Sequence, residues 1–347
     1  MAPQRNIRVL VVDDSAVVRT VLREGLSADP RIAVVGTARD AYEARDQIVR
    51  LRPDVMTLDV EMPRMDGVDF LRRLMPQYPL PVVMVSSVTE KGKAVTLAAL
   101  DAGAVDFVAK PNRQMSQGVD QMMVELRTKV KIASTANVSH WKFRRPAPRA
   151  GAPSRFRPGM MVALGASTGG TEAIRAVLSE LPADFPPIVI VQHMPAGFTR
   201  TFANLLNDAS AMQVREAEPG DELVVGRALV APGGRQIRVV SRGGKTIIED
   251  AGSKRVNGHC PSVDVMMWSA ARACGKNCFG VLLTGMGADG ARGMLAIRQA
   301  GGPTVAQDEE TSVVFGMPRE AWQLGGAESL CPIQGVGSHL IERLSVS

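Results

Sequence analysis

Three residues far apart in the chain could together carry acyl-transfer chemistry. Ser167 lies in Gly165-Ala-Ser-Thr-Gly169, behind the apolar run 160–164 and ahead of a segment with helical periodicity. His193 follows the apolar run 187–191, and Asp289 lies in Thr284-Gly-Met-Gly-Ala-Asp-Gly290 behind the run 279–283. A serine at a sharp strand-to-helix turn is presented at a sheet edge, beside the free N–H groups of a helix N-terminus. Gly165 and Gly169 are expected to let that turn close without a Cβ clash. An imidazole within ~3 Å of the hydroxyl, held in one tautomer by a carboxylate, makes such a serine a nucleophile. Alone, Gly-x-Ser-x-Gly is short and frequent and fits an anion-binding loop as well. Two of the four histidines stand aside, His140 in a Pro/Arg-rich stretch and His339 in a terminal helix. His259 competes with His193 for the base; His193 is favoured because it directly follows an apolar strand.

A second set lies in the first 110 residues. Asp13 and Asp14 follow the run 8–12, Asp59 ends the run 55–58, Ser86 follows 81–85, and Lys110 follows 105–108. Three carboxylates at one edge repel one another unless a cation joins them, and hard oxygen ligands favour Mg²⁺. Lys110 would supply a point charge, and Ser86 a hydroxyl, to a phosphoryl group. One such Asp is ordinarily a turn residue or cap; five residues at successive strand ends are more than that.

The elements that must position both sets alternate between strand and helix, which implies parallel sheets covered on both faces. The expected fold class is α/β throughout. The first part reads as a doubly wound, five-stranded parallel sheet of flavodoxin-like type. The second reads as a doubly wound, mostly parallel sheet with an antiparallel hairpin, built from runs 227–230 and 236–240 around Ala231-Pro-Gly-Gly234. Residues 308–316 are expected as a surface loop. Between the two lies a stretch rich in Pro, Gly, Ala and Arg, which cannot bury a core. The expected division is therefore 1–130, a linker at 131–158, and 159–347.

Charge follows the same division. Net charge is +6, yet no acidic residue occurs between Glu125 and Glu172, while nine Lys or Arg do; without them the chain would carry −3. The basicity is thus expected in a solvated connector that could meet an acidic partner, not in a nucleic-acid groove. A DNA-binding output would need a helix-turn-helix, and a nucleotide module built on Gly165–Gly170 would need a P-loop or G-x-G-x-x-G there; that turn, Gly-Ala-Ser-Thr-Gly-Gly, has neither spacing. Four scattered cysteines, Cys260, Cys274, Cys278 and Cys331, do not make a disulfide framework, and free thiols are favoured over zinc. No apolar run approaches the ~18 residues of a membrane span, and the N-terminus lacks an apolar leader. A cytoplasmic, monomeric protein is expected.

Residues 6–125 resemble a response-regulator receiver domain, on Asp13-Asp14, Asp59, Glu61-Met-Pro-Arg-Met-Asp-Gly67, Ser86 and Lys110-Pro111. That resemblance implies that Asp59 accepts phosphate from a histidine kinase. It implies Mg²⁺ held by Asp13 or Asp14, Asp59 and the backbone carbonyl of Glu61, and it gives Phe107 the aromatic switch position. Residues 160–345 resemble the CheB family of chemotaxis protein-glutamate methylesterases, on Ala-Ser-Thr-Gly-Gly170, Val-Gln-His-Met194, Gly-His-Cys-Pro-Ser-Val-Asp264 and Thr-Gly-Met-Gly-Ala-Asp-Gly290. The order Ser…His…Asp differs from the α/β-hydrolase order. The resemblance implies Ser167 as nucleophile, His193 as base and Asp289 as its partner, with backbone N–H groups near Thr168 and Met286 as the oxyanion hole. It implies hydrolysis of glutamyl γ-methyl esters on methyl-accepting chemoreceptors, deamidation of specific glutamines by the same acyl-enzyme, and no cofactor for that step. Phosphate on Asp59 is expected to relieve inhibition by the receiver.

Overall fold

The structure is a computed structural model that describes residues 5–86, 89–110, 116–139 and 155–346. The chain divides into two compact units, Met1–Arg144 and Arg145–Ser347. Pro111 and most of the basic connector lie outside the described residues.

In the first unit the order is β1 (Ile7–Val12), α1 (Ala16–Ser27), β2 (Ile32–Ala38), α2 (Ala41–Leu51), β3 (Val55–Asp59), α3 (Gly67–Leu74), β4 (Val82–Ser86), α4 (Glu90–Asp101), β5 (Asp106–Ala109) and α5 (Ser116–Ala133). The five strands form one parallel sheet in the order β2-β1-β3-β4-β5. The order reverses between β1 and β3, and ligands bind at such a switch point, beyond the carboxyl ends of the strands. Ser15 caps α1 as its type suggests, its hydroxyl accepting from Val18 N.

The second unit runs β6 (Met161–Ala166), α6 (Gly170–Glu180), β7 (Ile188–Gln192), α7 (Phe198–Ala209), β8 (Gln213–Glu216), β9 (Arg227–Val230), β10 (Ile237–Arg242), β11 (Lys245–Asp250), α8 (Val263–Cys274), β12 (Cys278–Leu282), α9 (Ala291–Gln299), β13 (Thr304–Gln307), α10 (Met317–Gln323), β14 (Ser329–Cys331) and α11 (Ile333–Leu344). Seven parallel strands lie in the order β14-β13-β12-β6-β7-β9-β8. Here the reversal falls between β6 and β12. The central strands β6, β7 and β12 are buried at every residue, and such strands read as unbroken apolar runs.

Four details differ from expectation. β9 does not pair with β10: it joins the parallel sheet between β7 and β8, and β10 forms its hairpin with β11. That hairpin closes through Gly243 and Gly244, both at positive φ, a conformation that glycine adopts without strain. The short strands β8, β13 and β14 carry too few residues to show a period. Gly165 sits inside β6, not in the turn; a Cβ there would meet Val263 Cγ1 at 2.3 Å, so its role is close packing against α8. The 308–316 loop is largely internal, with Ser312, Val313 and Val314 buried. Val313 is seated against Gly169, where φ is +77° and a Cβ would lie 2.6 Å from Val313 Cβ.

The charge is also distributed differently. Lys131, on α5, pairs with Asp29 at 2.9 Å, and Lys129 pairs with Asp106 and Glu125. Arg127 donates to Gly25 O. Three of the nine cations therefore brace the first unit. Arg155 and Arg157 make backbone hydrogen bonds with the chain end, at Val346 and Leu344. Phe156 there stacks edge-on against Phe185.

Candidate active site and phosphoacceptor site

The register of the second sheet brings Ser167 and His193 side by side. Ala166, the last residue of β6, pairs with Gln192, the last of β7, and His193 N donates to Ala166 O. Gln192 Nε2 donates to Ser167 O at 2.9 Å and pins the serine turn. From the other side, Ser167 N donates to Thr284 O, and Thr284 Oγ1 donates to Thr168 O. Gly285 must be glycine: a Cβ there would stand 2.7 Å from Ser167 Cβ. Thr168 is buried, and Met286 is exposed at the same rim.

The imidazole of His193 is tied to Asp289, Nε2 to Oδ2 at 2.8 Å. Burial alone would raise the Asp289 carboxyl; the His193 hydrogen bond and charge, with Asn257 and Ser262, hold it down at about 2. An ionised carboxylate only accepts, so Nε2 carries the proton and donates it. Nδ1 is then the basic nitrogen. It is buried and makes no hydrogen bond among the described residues, the serine hydroxyl included.

Asp289 is held more firmly than a turn residue needs. Oδ1 accepts from Ser262 Oγ at 2.7 Å and Asn257 Nδ2 at 2.8 Å, and Oδ2 accepts from Val263 N at 2.7 Å. Ser262 and Val263 are the cap and first residue of α8, so the carboxylate sits on a helix N-terminus. The arrangement is reciprocal: Asp264, in the first turn of α8, accepts from Gly290 N and Gly293 N at the start of α9. Each helix is thus anchored by an acid from the other's N-terminal region. A cavity of about 590 Å³ opens on this side, lined by Asn257, His259, Asp289, Arg292 and Glu320 among others, and not by Ser167.

The roles of Gln192, Asn257, Ser262 and Asp264 are not legible in the sequence. Ser262 was legible as a helix cap, and Asn257-Gly258 as a turn; the side chains' targets were not. The ring of His259, the other candidate base, stacks flat on that of His193, with ring centroids 3.7 Å apart.

In the first unit Asp13, Asp14 and Asp59 offer oxygens that lie within 4.8 Å of one another. Lys110 Nζ bridges Asp13 Oδ2 and Asp59 Oδ1, both at 2.9 Å. Burial raises the Asp59 carboxyl to about 6; Lys110 opposes this, and Asp13 adds to it. One ammonium therefore does not satisfy the cluster, and the donor set, all oxygen, fits a hard divalent cation. Asp14 and Glu61 line an open cavity beside it. A Cβ on Gly67 would lie 2.4 Å from Asp59 O, so the loop folds back tightly over the strand end. Ser86 Oγ accepts from Thr96 Oγ1 at 2.7 Å and is buried. Phe107 is buried as well.

Residues 162–340 match the CheB methylesterase family model, and residues 9–119 match the response regulator receiver domain. A protein-glutamate methylesterase/protein-glutamine glutaminase of Syntrophotalea carbinolica is 57% identical over 98% of both chains. A second of that name, from Pseudomonas aeruginosa, is 50% identical over 97% of both. The crystal structure of the Thermotoga maritima CheB methylesterase catalytic domain matches 54% of this chain and all of its own, at 38% identity and a TM-score of 0.53. No helix among the described residues is long and apolar enough to cross a membrane. With a receiver domain ahead of the seven-stranded sheet, the chain belongs to the CheB methylesterase family.

Proposed function

We propose that the protein is a phosphorylation-gated serine esterase that hydrolyses glutamyl γ-methyl esters on methyl-accepting chemoreceptors. The observation that carries this reading is the His193 imidazole: Nε2 is committed to Asp289, Nδ1 is buried without a partner among the described residues, and the His193 backbone is hydrogen-bonded to Ala166, the residue before Ser167. The names of the relatives, which join methylesterase to glutaminase, support the substrate class and a second, deamidating activity.

Ser167 Oγ attacks the ester carbonyl as Nδ1 removes its proton. Backbone N–H groups of Thr168 and Met286 receive the oxyanion, each worth ~3 kcal/mol of transition-state stabilisation. The tetrahedral species collapses, and the proton on Nδ1 leaves with the methoxide as methanol. Water then attacks the acyl-enzyme, giving its proton to Nδ1. Collapse frees the glutamate carboxyl, and Nδ1 returns a proton to Ser167. With a glutamine substrate the same acyl-enzyme forms, and ammonia departs instead. Neither step calls for a metal among these residues.

The first unit is the switch. Asp59 accepts phosphate from a histidine kinase, and Lys110 and Ser86 contact the phosphoryl oxygens, Ser86 after releasing Thr96. Asp13, Asp14, Asp59 and the Glu61 carbonyl would hold Mg²⁺, which supplies charge neutralisation for phosphoryl transfer. The protein works in the cytoplasm, where kinase and receptor methylation sites are both within reach.

Methanol release from methylated receptor, with and without acetyl phosphate, tests the whole reading. Acetyl phosphate is expected to stimulate the intact chain severalfold, and Asp59→Asn to abolish the stimulation while leaving basal release. Stimulation that survives Asp59→Asn moves the phosphoacceptor elsewhere.

The raised Asp59 carboxyl makes a separate prediction. A carboxyl whose folded value lies above its unfolded one favours the fold while protonated, and that contribution is lost as pH rises through about 6. Mg²⁺ binds only the ionised form. The rise in the receiver's melting temperature on adding Mg²⁺ is therefore expected to be small below pH 6 and to grow above it. An equal rise on both sides of pH 6 contradicts the assignment.

A further inference from the structure

One turn reaches the triad from a part of the chain that supplies none of its three members. Val256 and His259 exchange backbone hydrogen bonds, the N–H of each donating to the other's carbonyl at 2.9 Å. Between them Asn257 and Gly258 have φ of 53° and 84°. Left-handed backbone at both central residues is the primed hairpin turn that Asn-Gly favours. This turn delivers two side chains. The Asn257 amide gives one hydrogen to Asp264 Oδ2 and the other to Asp289 Oδ1, both at 2.8 Å. His259 lies against the His193 ring with centroids 3.7 Å apart and planes within 4°.

We propose that the 256–259 turn positions the general base: Asn257 fixes the carboxylate that grips the His193 ring, and His259 fixes the plane of the ring by covering its face. This rests on the esterase reading and adds to it two positioning residues. The physical need is specific. A single hydrogen bond at Nε2 holds one atom and leaves the ring free to rock about that bond. A misaimed Nδ1 loses rate steeply, because proton transfer depends on a near-attack geometry. A flat ring stacked on the imidazole removes that freedom. The Asn257 amide in turn lies between two buried carboxylates, Asp264 and Asp289, which would otherwise meet unscreened.

The stack also suits the charge that develops. His193 becomes an imidazolium in the transition state, and a neutral neighbour tolerates this where a cation would not. Burial, together with the His193 charge, lowers His259 to about 4, although Asp289 pulls the other way. The charged groups acting on His259 are Asp289 and Arg255, and Asp264, Arg292 and Glu320 line the cavity it borders. His259 also lines the 590 Å³ cavity, so larger side chains at this position have room.

Steady-state ester hydrolysis by the full chain tests the proposal. His259→Ala is expected to lower kcat about tenfold or more, with KM changed much less, since orientation is part of the general-base contribution. His259→Phe restores a flat uncharged ring and is expected to recover most of that loss. His259→Arg keeps a planar group but sets a fixed charge on the imidazolium, so the acid limb of kcat/KM is expected to move to lower pH. Asn257→Gly keeps the left-handed backbone without strain and removes the amide; it is expected to lower kcat as His259→Ala does. Equal kcat for the Ala and Phe variants, or an Ala variant within about twofold of the parent, overturns the proposal. An Arg variant whose acid limb does not move overturns it too. Thermal melting of each variant separates these outcomes from unfolding, and Asn257→Gly decides the matter if His259→Ala does not fold. Ser167→Ala, run alongside, separates the two readings: activity retained there defeats the esterase, whereas activity lost there but kept in both turn variants defeats only this inference.

Discussion

Replacing Ser167 by alanine is expected to reduce methanol release from methylated receptor by about a million-fold, the scale seen when a triad nucleophile is removed. The fold should be untouched. Among the described residues, no hydrogen bond that holds this turn uses the Ser167 hydroxyl. The turn is held by Ser167 N to Thr284 O, by Gln192 Nε2 to Ser167 O, and by Thr284 Oγ1 to Thr168 O, all of which alanine retains. A fluorophosphonate should label the parent chain on Ser167 and leave the variant unlabelled. Label on the variant, or turnover within a hundredfold of the parent, places the nucleophile on another residue.

The second large effect belongs to Asp289. Asp289→Asn changes almost no volume, yet kcat is expected to fall about ten-thousand-fold, as when a triad carboxylate becomes an amide. Every neighbour of this carboxylate is a donor: His193 Nε2 and Val263 N on Oδ2, Ser262 Oγ and Asn257 Nδ2 on Oδ1. An amide must turn its NH₂ toward one of these pairs. Toward His193 it forces the ring proton onto Nδ1, the atom that must be basic. Toward Asn257 it sets two NH₂ groups against each other. Nitrogen NMR of the His193 ring checks the first outcome directly, because the protonated nitrogen should change from Nε2 to Nδ1. A variant with the parent's tautomer and full activity removes Asp289 from the mechanism. The same donors hold Asp289 at about 2, so its contribution to stability is present above the ordinary carboxylate range and is lost only as pH falls toward 2.

Much of this site could be read before any coordinates. Ser167, His193 and Asp289 each stand just behind an apolar run, and Asp13, Asp59, Ser86 and Lys110 do the same in the first unit. A buried parallel strand has to be apolar along its length, so its end is visible, and functional residues gather at that end. The hairpin was harder. Residues 227–230 and 236–240 both look like strands, and nothing local distinguishes a partner in sequence from one in space; β9 paired with β7 and β8, and β10 with β11. Val313 and Val314 lie in a segment with polar neighbours; Val313 packs where Gly169, far away in the chain, has no side chain, and Val314 O accepts from Gly285 N.

Residue order alone sets the kinds of group present and the sheet edges to which they belong, because strand ends and glycine turns are local properties. Folding in three dimensions sets which imidazole nitrogen of His193 meets Asp289, that the N-terminus of helix α8 holds that carboxylate, and that the His259 ring lies flat on the His193 ring. Those facts are set by distances between residues 26 to 96 positions apart, which chain-local preferences do not encode.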